Sequence, residues 1–174
     1  MKLIYSVHKY DIFMFTRLIN SGFYQHLVIA ARYISRTGDG YLYLLLMAVL
    51  YVREGWQSPF LQTLLLAFIV ERPLYYLLKN GFKRNRPQAA IKDFHSLVIP
   101  ADQFSFPSGH TSAAFMVASI SGFFIPVLLF PLLVWAALVG FSRVVLGVHF
   151  PTDTLVGMIL GVSVAIYSLS QLMI

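Results

Sequence analysis

The chain has 174 residues, of which 58% are hydrophobic and only 11% charged, with a net charge of +6. Soluble domains carry roughly a quarter charged residues, so a mean hydropathy of +0.73 describes a chain that lives in a bilayer, and the length suggests one domain, 1–174. The lack of cysteine excludes disulfides, thiolate zinc sites and iron–sulfur clusters, while the positive charge suits anionic headgroups or a phosphorylated ligand and is not laid along a soluble face as a nucleic-acid partner requires.

The first stretch, "MKLIYSVHKYDIFMFTRLIN", has charges at regular intervals and no apolar core ending in a small-residue cleavage site, so it does not read as a signal peptide. Ile12, Phe13, Phe15, Leu18 and Ile19 fall mostly on one face at helical spacing. That pattern predicts an amphipathic helix lying in the membrane interface, within an N-terminal part covering 1–37. Residues 23–35 are apolar but short, and His26 and Arg32 interrupt them.

A membrane span needs about 20 apolar residues. Segments 39–53, 58–80, 108–124, 127–147 and 152–173 qualify or nearly do; joining 23–35 to the preceding segment makes a sixth. The predicted fold is therefore all-α, a polytopic transmembrane helix bundle of five or six spans with an interfacial N-terminal helix. Gly38-Asp39-Gly40, the polar stretch 53–58, Pro126 and His149-Phe150-Pro151 separate the spans. Gly157 and Gly161 in the last span form a GxxxG pair, which lets helices approach closely.

The long polar connection 80–107 carries or borders much of the charge, and long connections are often functional. At its start stands Lys79, followed by Arg86-Pro87. If the helix runs on past Lys79, the two cations share a face roughly 10 Å apart; as a plainer reading, basic residues at a span end reach for headgroups. At its end stands Pro107-Ser108-Gly109-His110. Proline favours a first helical turn, the free N–H groups of a helix start attract anions, and Gly109 lets an anion approach the backbone. The plainer reading is a helix cap with a histidine at the interface. The third cluster is Ser142-Arg143, His149 and Asp153. Arg143 and Asp153 sit where helix dipoles favour them, and Asp153 is also spaced to accept a hydrogen bond from His149, leaving the other ring nitrogen a better base or nucleophile.

Counting crossings puts all three clusters on one side. Only a loop separates Arg86 from His110, and the chain crosses twice between His110 and Arg143. Three cations, two histidines and a carboxylate thus meet at one membrane face, where ionisable groups are a functional hypothesis by default. Phosphoryl transfer uses such a set: cations stabilise the charge spread over the phosphoryl oxygens, one histidine attacks and the other protonates the leaving oxygen. There is no HExxH, no carboxylate cluster and no GxxxxGK[ST], so neither a metal nor a cofactor is expected.

With these residues in view, the sequence resembles the type 2 phosphatidic acid phosphatase family, relatives of the vanadium haloperoxidases. That family's pattern is K-x6-RP, then PSGH, then SR-x5-H-x3-D, and "KNGFKRNRP", "PSGH" and "SRVVLGVHFPTD" match every fixed position across 79–153. The resemblance implies that His149 is the nucleophile, forming a phosphohistidine, and that Asp153 orients it. It implies that His110 protonates the leaving group and then activates water. Lys79, Arg86, Arg143, Ser108 and the Gly109 amide would hold the phosphate. The implied partner is a phosphorylated lipid within a bilayer. Undecaprenyl diphosphate ranks first, and phosphatidylglycerophosphate, phosphatidate and lipid A are alternatives. Transfer of the phosphoryl group between lipids, and non-catalytic lipid-phosphate binding, are the competing classes. Family analogy puts the site on the outer face of a bacterial inner membrane, whereas Lys83, Arg84 and Lys92 on the catalytic face tally for the cytoplasmic side; the analogy is preferred, because a loop over an anion site has its own reason to be basic. Glu71-Arg72-Pro73 falls inside a predicted span and reads as an internal ion pair at a proline.

Overall fold

The computed structural model describes residues 2–100 and 102–172, with side chains from His8 onward. Residue 173, the end of the last predicted span, lies outside the described residues, as do Met1, Ala101 and Ile174. Every regular element among the described residues is helical: α1 (Lys2–Ile19), α2 (Tyr24–Thr37), α3 (Tyr41–Glu54), α4 (Pro59–Phe82), the short α5 (Pro87–Ala90), α6 (Gly109–Phe124), a 3-10 turn (Pro126–Leu128), α7 (Leu129–Val145) and α8 (Pro151–Leu172).

The helix ends follow local chemistry. Ser58 caps α4, its hydroxyl accepting from the Leu61 amide at 3.3 Å, and Pro59 occupies the first turn, where no N–H is needed. Pro126 interrupts the run between α6 and α7, and Pro151 opens α8. Among the described residues, three helical stretches are long and apolar enough, by length and composition, to cross a membrane: Pro59–Ala90, Pro126–Val145 and Pro151–Leu172. α3 and α6 have 14 and 16 residues, the latter about 24 Å of rise against a hydrocarbon core near 30 Å. A helix that short puts its polar first turn at the membrane's edge.

α6 is the central post, packed against α4, α7 and α8. Lipid tails are as apolar as leucine, so helices in a bilayer associate through close packing, and small residues allow it. α6 supplies them: Ala113, Ala114, Ala118 and Ser112 are buried along its length. α8 approaches through the predicted glycine pair. A Cβ at Gly157 would stand 2.5 Å from the Ser108 carbonyl oxygen, and one at Gly161 only 2.1 Å from that of Ser112. Met116, Ile120, Leu64, Ala67 and Ala165 fill the core between α4, α6 and α8. The outward face carries exposed apolar side chains such as Val52, Ile69, Leu77 and Phe130, as a surface bathed in lipid does.

The apolar residues singled out in α1 turn mostly toward the protein. Phe15 is buried among Val144 and Phe150, and Ile12, Leu18 and Ile19 pack against that group, but Phe13 points outward. α2 is a separate helix beyond a turn at 20–23, with Val28 and Ala31 packed against Val145 and Leu146. The Glu71–Arg72 pair exists within α4: Arg72 Nε donates to Glu71 Oε2, and Ser112 Oγ donates to Glu71 Oε1 at 2.7 Å, so the fully buried carboxylate is satisfied.

Candidate active site

The site forms where the end of α4, the start of α6, the end of α7 and the start of α8 converge. Lys79 lies in the last turns of α4, but the helix does not continue to Arg86. Lys83 takes a left-handed conformation with φ 46° and ends it, and Arg86 precedes Pro87 in extended backbone, as a residue before proline prefers. The expected shared helix face is therefore corrected to a turn. The two cations still meet, because both reach one carboxylate. Lys79 Nζ donates to Asp102 Oδ1 at 2.7 Å and Arg86 Nη2 donates to the same oxygen at 2.5 Å. Tyr75 donates its hydroxyl to Asp102 Oδ2 at 2.7 Å. Partial burial alone would raise the Asp102 pKa, but the hydrogen bonds from Lys79 and Tyr75 and the two positive charges outweigh it and hold the group down at about 2.

Pro107 lies just outside α6 rather than in its first turn, with Ser108 as the N-cap. The Ser108 hydroxyl makes no cap bond; it accepts from Thr111 Oγ1 at 2.9 Å, while the Ser108 amide donates to the Asp153 carbonyl at 3.0 Å. Gly109 is fitted against the Tyr75 ring, which a Cβ would meet at 2.9 Å. On α7, Arg143 is buried, with Nη1 donating to Ser35 Oγ at 2.5 Å and its Nε without a hydrogen-bond partner among the described residues.

His149 and Asp153 stand together but not as expected from their spacing. Nδ1 of His149 is 3.8 Å from Asp153 Oδ2, too far for a hydrogen bond. The carboxylate is already saturated. Its Oδ2 accepts from the Phe150 amide at 2.7 Å and from the Ser105 hydroxyl, and its Oδ1 accepts from Arg84 Nη1 at 2.7 Å. Arg84 also donates to Asp11 Oδ2 at 2.6 Å, fastening α1 to the start of α8. His149 is thus a buried imidazole with a carboxylate nearby but not bonded. Burial pushes its pKa down to about 4, more than the neighbouring Asp153 charge restores, and Arg86 and Arg143 add to the fall. A pKa that low leaves the ring neutral at physiological pH.

A cavity of about 530 Å³ joins these groups. His110, His149, Arg143, Gly109 and Asp102 line its polar end, and Leu44, Met47 and Phe68 of α3 and α4 line an apolar arm. Lys79 and Arg86 stand behind Asp102. A second cavity, about 470 Å³, shares His110 and Arg143 and runs toward Arg32 and Arg36 of α2. Among the described residues no group of three or more His, Asp or Glu is placed to hold a metal ion.

The structure brings Lys79, Arg86, Ser108, Gly109, His110, Arg143, His149 and Asp153, all named from the sequence, to one end of the bundle. Sequence reasoning assigned no part in the site to Asp102 or Asp11, and it named Arg84 only as a basic loop residue and Asp39 only as part of a break between helices. The available signal was scarcity: the chain has only seven acidic residues, and Asp11, Asp39, Asp102 and Asp153 are all paired with basic groups in or beside the site.

Comparison with known proteins points the same way. The PAP2 superfamily matches residues 59–173. Phosphatidylglycerophosphatase B of Bacillus subtilis is 39% identical over 123 residues, 64% of this chain and 56% of that protein. Undecaprenyl-diphosphatase BcrC of the same organism is 32% identical over 87 residues, 50% of this chain and 45% of that protein. The chain spans about half the length of these curated relatives. The crystal structure of Aquifex aeolicus LpxE superposes with a TM-score of 0.78 at 32% identity, covering 90% of this chain and 93% of that one.

Proposed function

Since the chain belongs to the PAP2 superfamily, whose match covers 59–173, and is an integral membrane protein, we propose that it acts on lipid phosphate and hydrolyses it through a phosphohistidine on His149. The observation that carries this reading is the shared cavity: two histidines and Arg143 at one end, an apolar arm at the other. A lipid lying with its tail along Leu44, Met47 and Phe68 presents its phosphate to His149.

The geometry supports a two-step route. Nδ1 of His149 faces Asp153, so Nε2 attacks phosphorus as the bond to the lipid oxygen breaks. His110 gives its proton to that oxygen. Water then attacks the phosphohistidine, returning a proton to His110, and phosphate leaves with His149 neutral again. Arg143, with its free Nε, and Lys79 and Arg86 neutralise the charge on the phosphoryl oxygens. The incoming phosphate competes with the Asp102 carboxylate for Lys79 and Arg86, so the cradle is already shaped around an anion.

Phosphatidylglycerophosphate, the substrate in one relative's name, and undecaprenyl diphosphate, ranked first from the sequence, head the candidates. We place the site on the outer face of the cytoplasmic membrane. The test is phosphate release by the purified protein in mixed micelles with EDTA, from these two lipids, phosphatidate and lipid A, with His149→Ala alongside. Release from one lipid, absent in the variant, is the expected result. Release only on addition of an acceptor lipid would make the protein a phosphotransferase, and none at all would leave it a binder.

A further inference from the structure

We propose that Asp39, on the turn between α2 and α3, is the positioning residue of His110, so that the end of α2 is part of the active site. The proposal rests on the hydrolytic reading above. Asp39 lies outside the residues that match the family, 59–173, and none of the three motifs reaches it. Its Oδ1 is 2.9 Å from His110 Nε2, and His110 is its one side-chain partner among the described residues.

The turn is held in place on both sides of Asp39's neighbours. Trp135 Nε1 of α7 donates to Thr37 Oγ1 at 2.8 Å. Gly38 lies so close to α7 that a Cβ there would stand 2.7 Å from Val139 Cγ1. One turn earlier, Ser35 accepts from Arg143 at 2.5 Å. The last turn of α2 and the Gly-Asp-Gly sequence after it therefore orient two site residues, Arg143 and His110, from an element that carries no part of the phosphatase pattern.

The chemistry requires such a partner. In the first step His110 must hold a proton next to Arg143 and at the positive end of α6. Arg72 and Tyr75 from α4, Tyr43 from α3, and Asp102 and His149 from the loops share its cavity. Arg32 and Arg36 of α2 line the second cavity beside it. None of these is hydrogen-bonded to the ring, and among the described residues Asp39 is the one side chain that is. With Nε2–H held by Asp39, Nδ1 is the nitrogen that gives its proton to the leaving oxygen and later takes one from water. Asp39 fixes the tautomer and orients the ring.

The test compares Asp39→Asn and Asp39→Glu on phosphatidylglycerophosphate and undecaprenyl diphosphate in mixed micelles. Asp39→Asn is expected to lower kcat by at least about tenfold, leave KM within about twofold and displace one limb of the pH profile, with Asp39→Glu recovering most of the loss. An unchanged kcat and profile, or equal losses in both variants with no change in profile, would overturn the proposal. A second measurement needs no Asp39 variant. In ¹⁵N-histidine-labelled wild type, with His110→Gln used for assignment, the neutral His110 ring should carry its proton on Nε2; a proton on Nδ1 sinks the assignment. If the wild type releases phosphate from no lipid, the hydrolytic reading fails, while the tautomer still decides whether Asp39 holds His110.

Discussion

The two histidines face one cavity from opposite settings. His149 is 3% exposed, against an Asp153 that is fully buried and fully bonded. His110 is 27% exposed, and its partner Asp39 is 39% exposed. The difference matches the roles proposed for them. A nucleophile that must stay neutral and wait for phosphorus gains from a dry, rigid place. A group that must gain and lose a proton each turnover needs contact with water and a carboxylate not already spent on other donors.

Substitutions can break or sharpen that contrast. The largest effect is expected at the dry pole: His149→Ala removes the atom proposed to attack and should abolish phosphate release, a loss on the order of 10⁴-fold or more. His110→Ala should cost about 10²- to 10⁴-fold, and an aryl phosphate, whose leaving oxygen needs no proton, should recover part of it. Equal losses on both substrate types would erase the distinction between the poles.

Arg84→Leu should strike the same pole through stability. It leaves Asp153 and Asp11 buried without their cation, a cost of about 3 kcal/mol, visible as a lower unfolding temperature in detergent. Asp39→Asn, by contrast, should leave that temperature nearly unchanged. Asp102→Asn removes the charge that Lys79 and Arg86 now share, and orthovanadate should then inhibit at a concentration about tenfold lower. Weaker inhibition would make Asp102 a brace for the cradle rather than a competitor of its ligand.

The smallest effect is one of pH. Between pH 6.5 and about 4 the unfolded chain binds a proton at residue 149 that the folded chain refuses. Folding stability associated with His149 is therefore intact above pH 6.5 and falls as the pH drops toward 4. The unfolding temperature should decline by about 5 °C through that window, and His149→Gln should flatten the decline.

What the sequence revealed was whatever chemistry had fixed at short range. The motif spacings announced themselves because Ser108, Gly109 and His110 must open a helix, and because Arg143 and His149 must flank one tight turn. The helix spans were legible from apolar runs bounded by proline and glycine. The failures were tertiary. The spacing of Lys79 and Arg86 suggests a helix, but Pro87 restricts the residue before it, and Lys83 turns the chain first. The i, i+4 spacing of His149 and Asp153 suggests a hydrogen bond, but Ser105 and Arg84, distant in sequence, occupy the carboxylate. Asp39 and Asp102 find their partners 71 residues and 16 to 27 residues away along the chain, a separation at which no periodicity operates.

The contact between Gly157 and the Ser108 carbonyl, which leaves no room for a methyl group, has a mechanical consequence. The backbone at Ser108, proposed above as part of the phosphate cradle, is braced against the body of α8, a helix with exposed apolar side chains such as Leu155, Ile159 and Ile166. A change in bilayer thickness that rocks α8 against α6 pushes on Ser108 itself. The expected outcome is that thin and thick bilayers of equal charge support different rates of phosphate release.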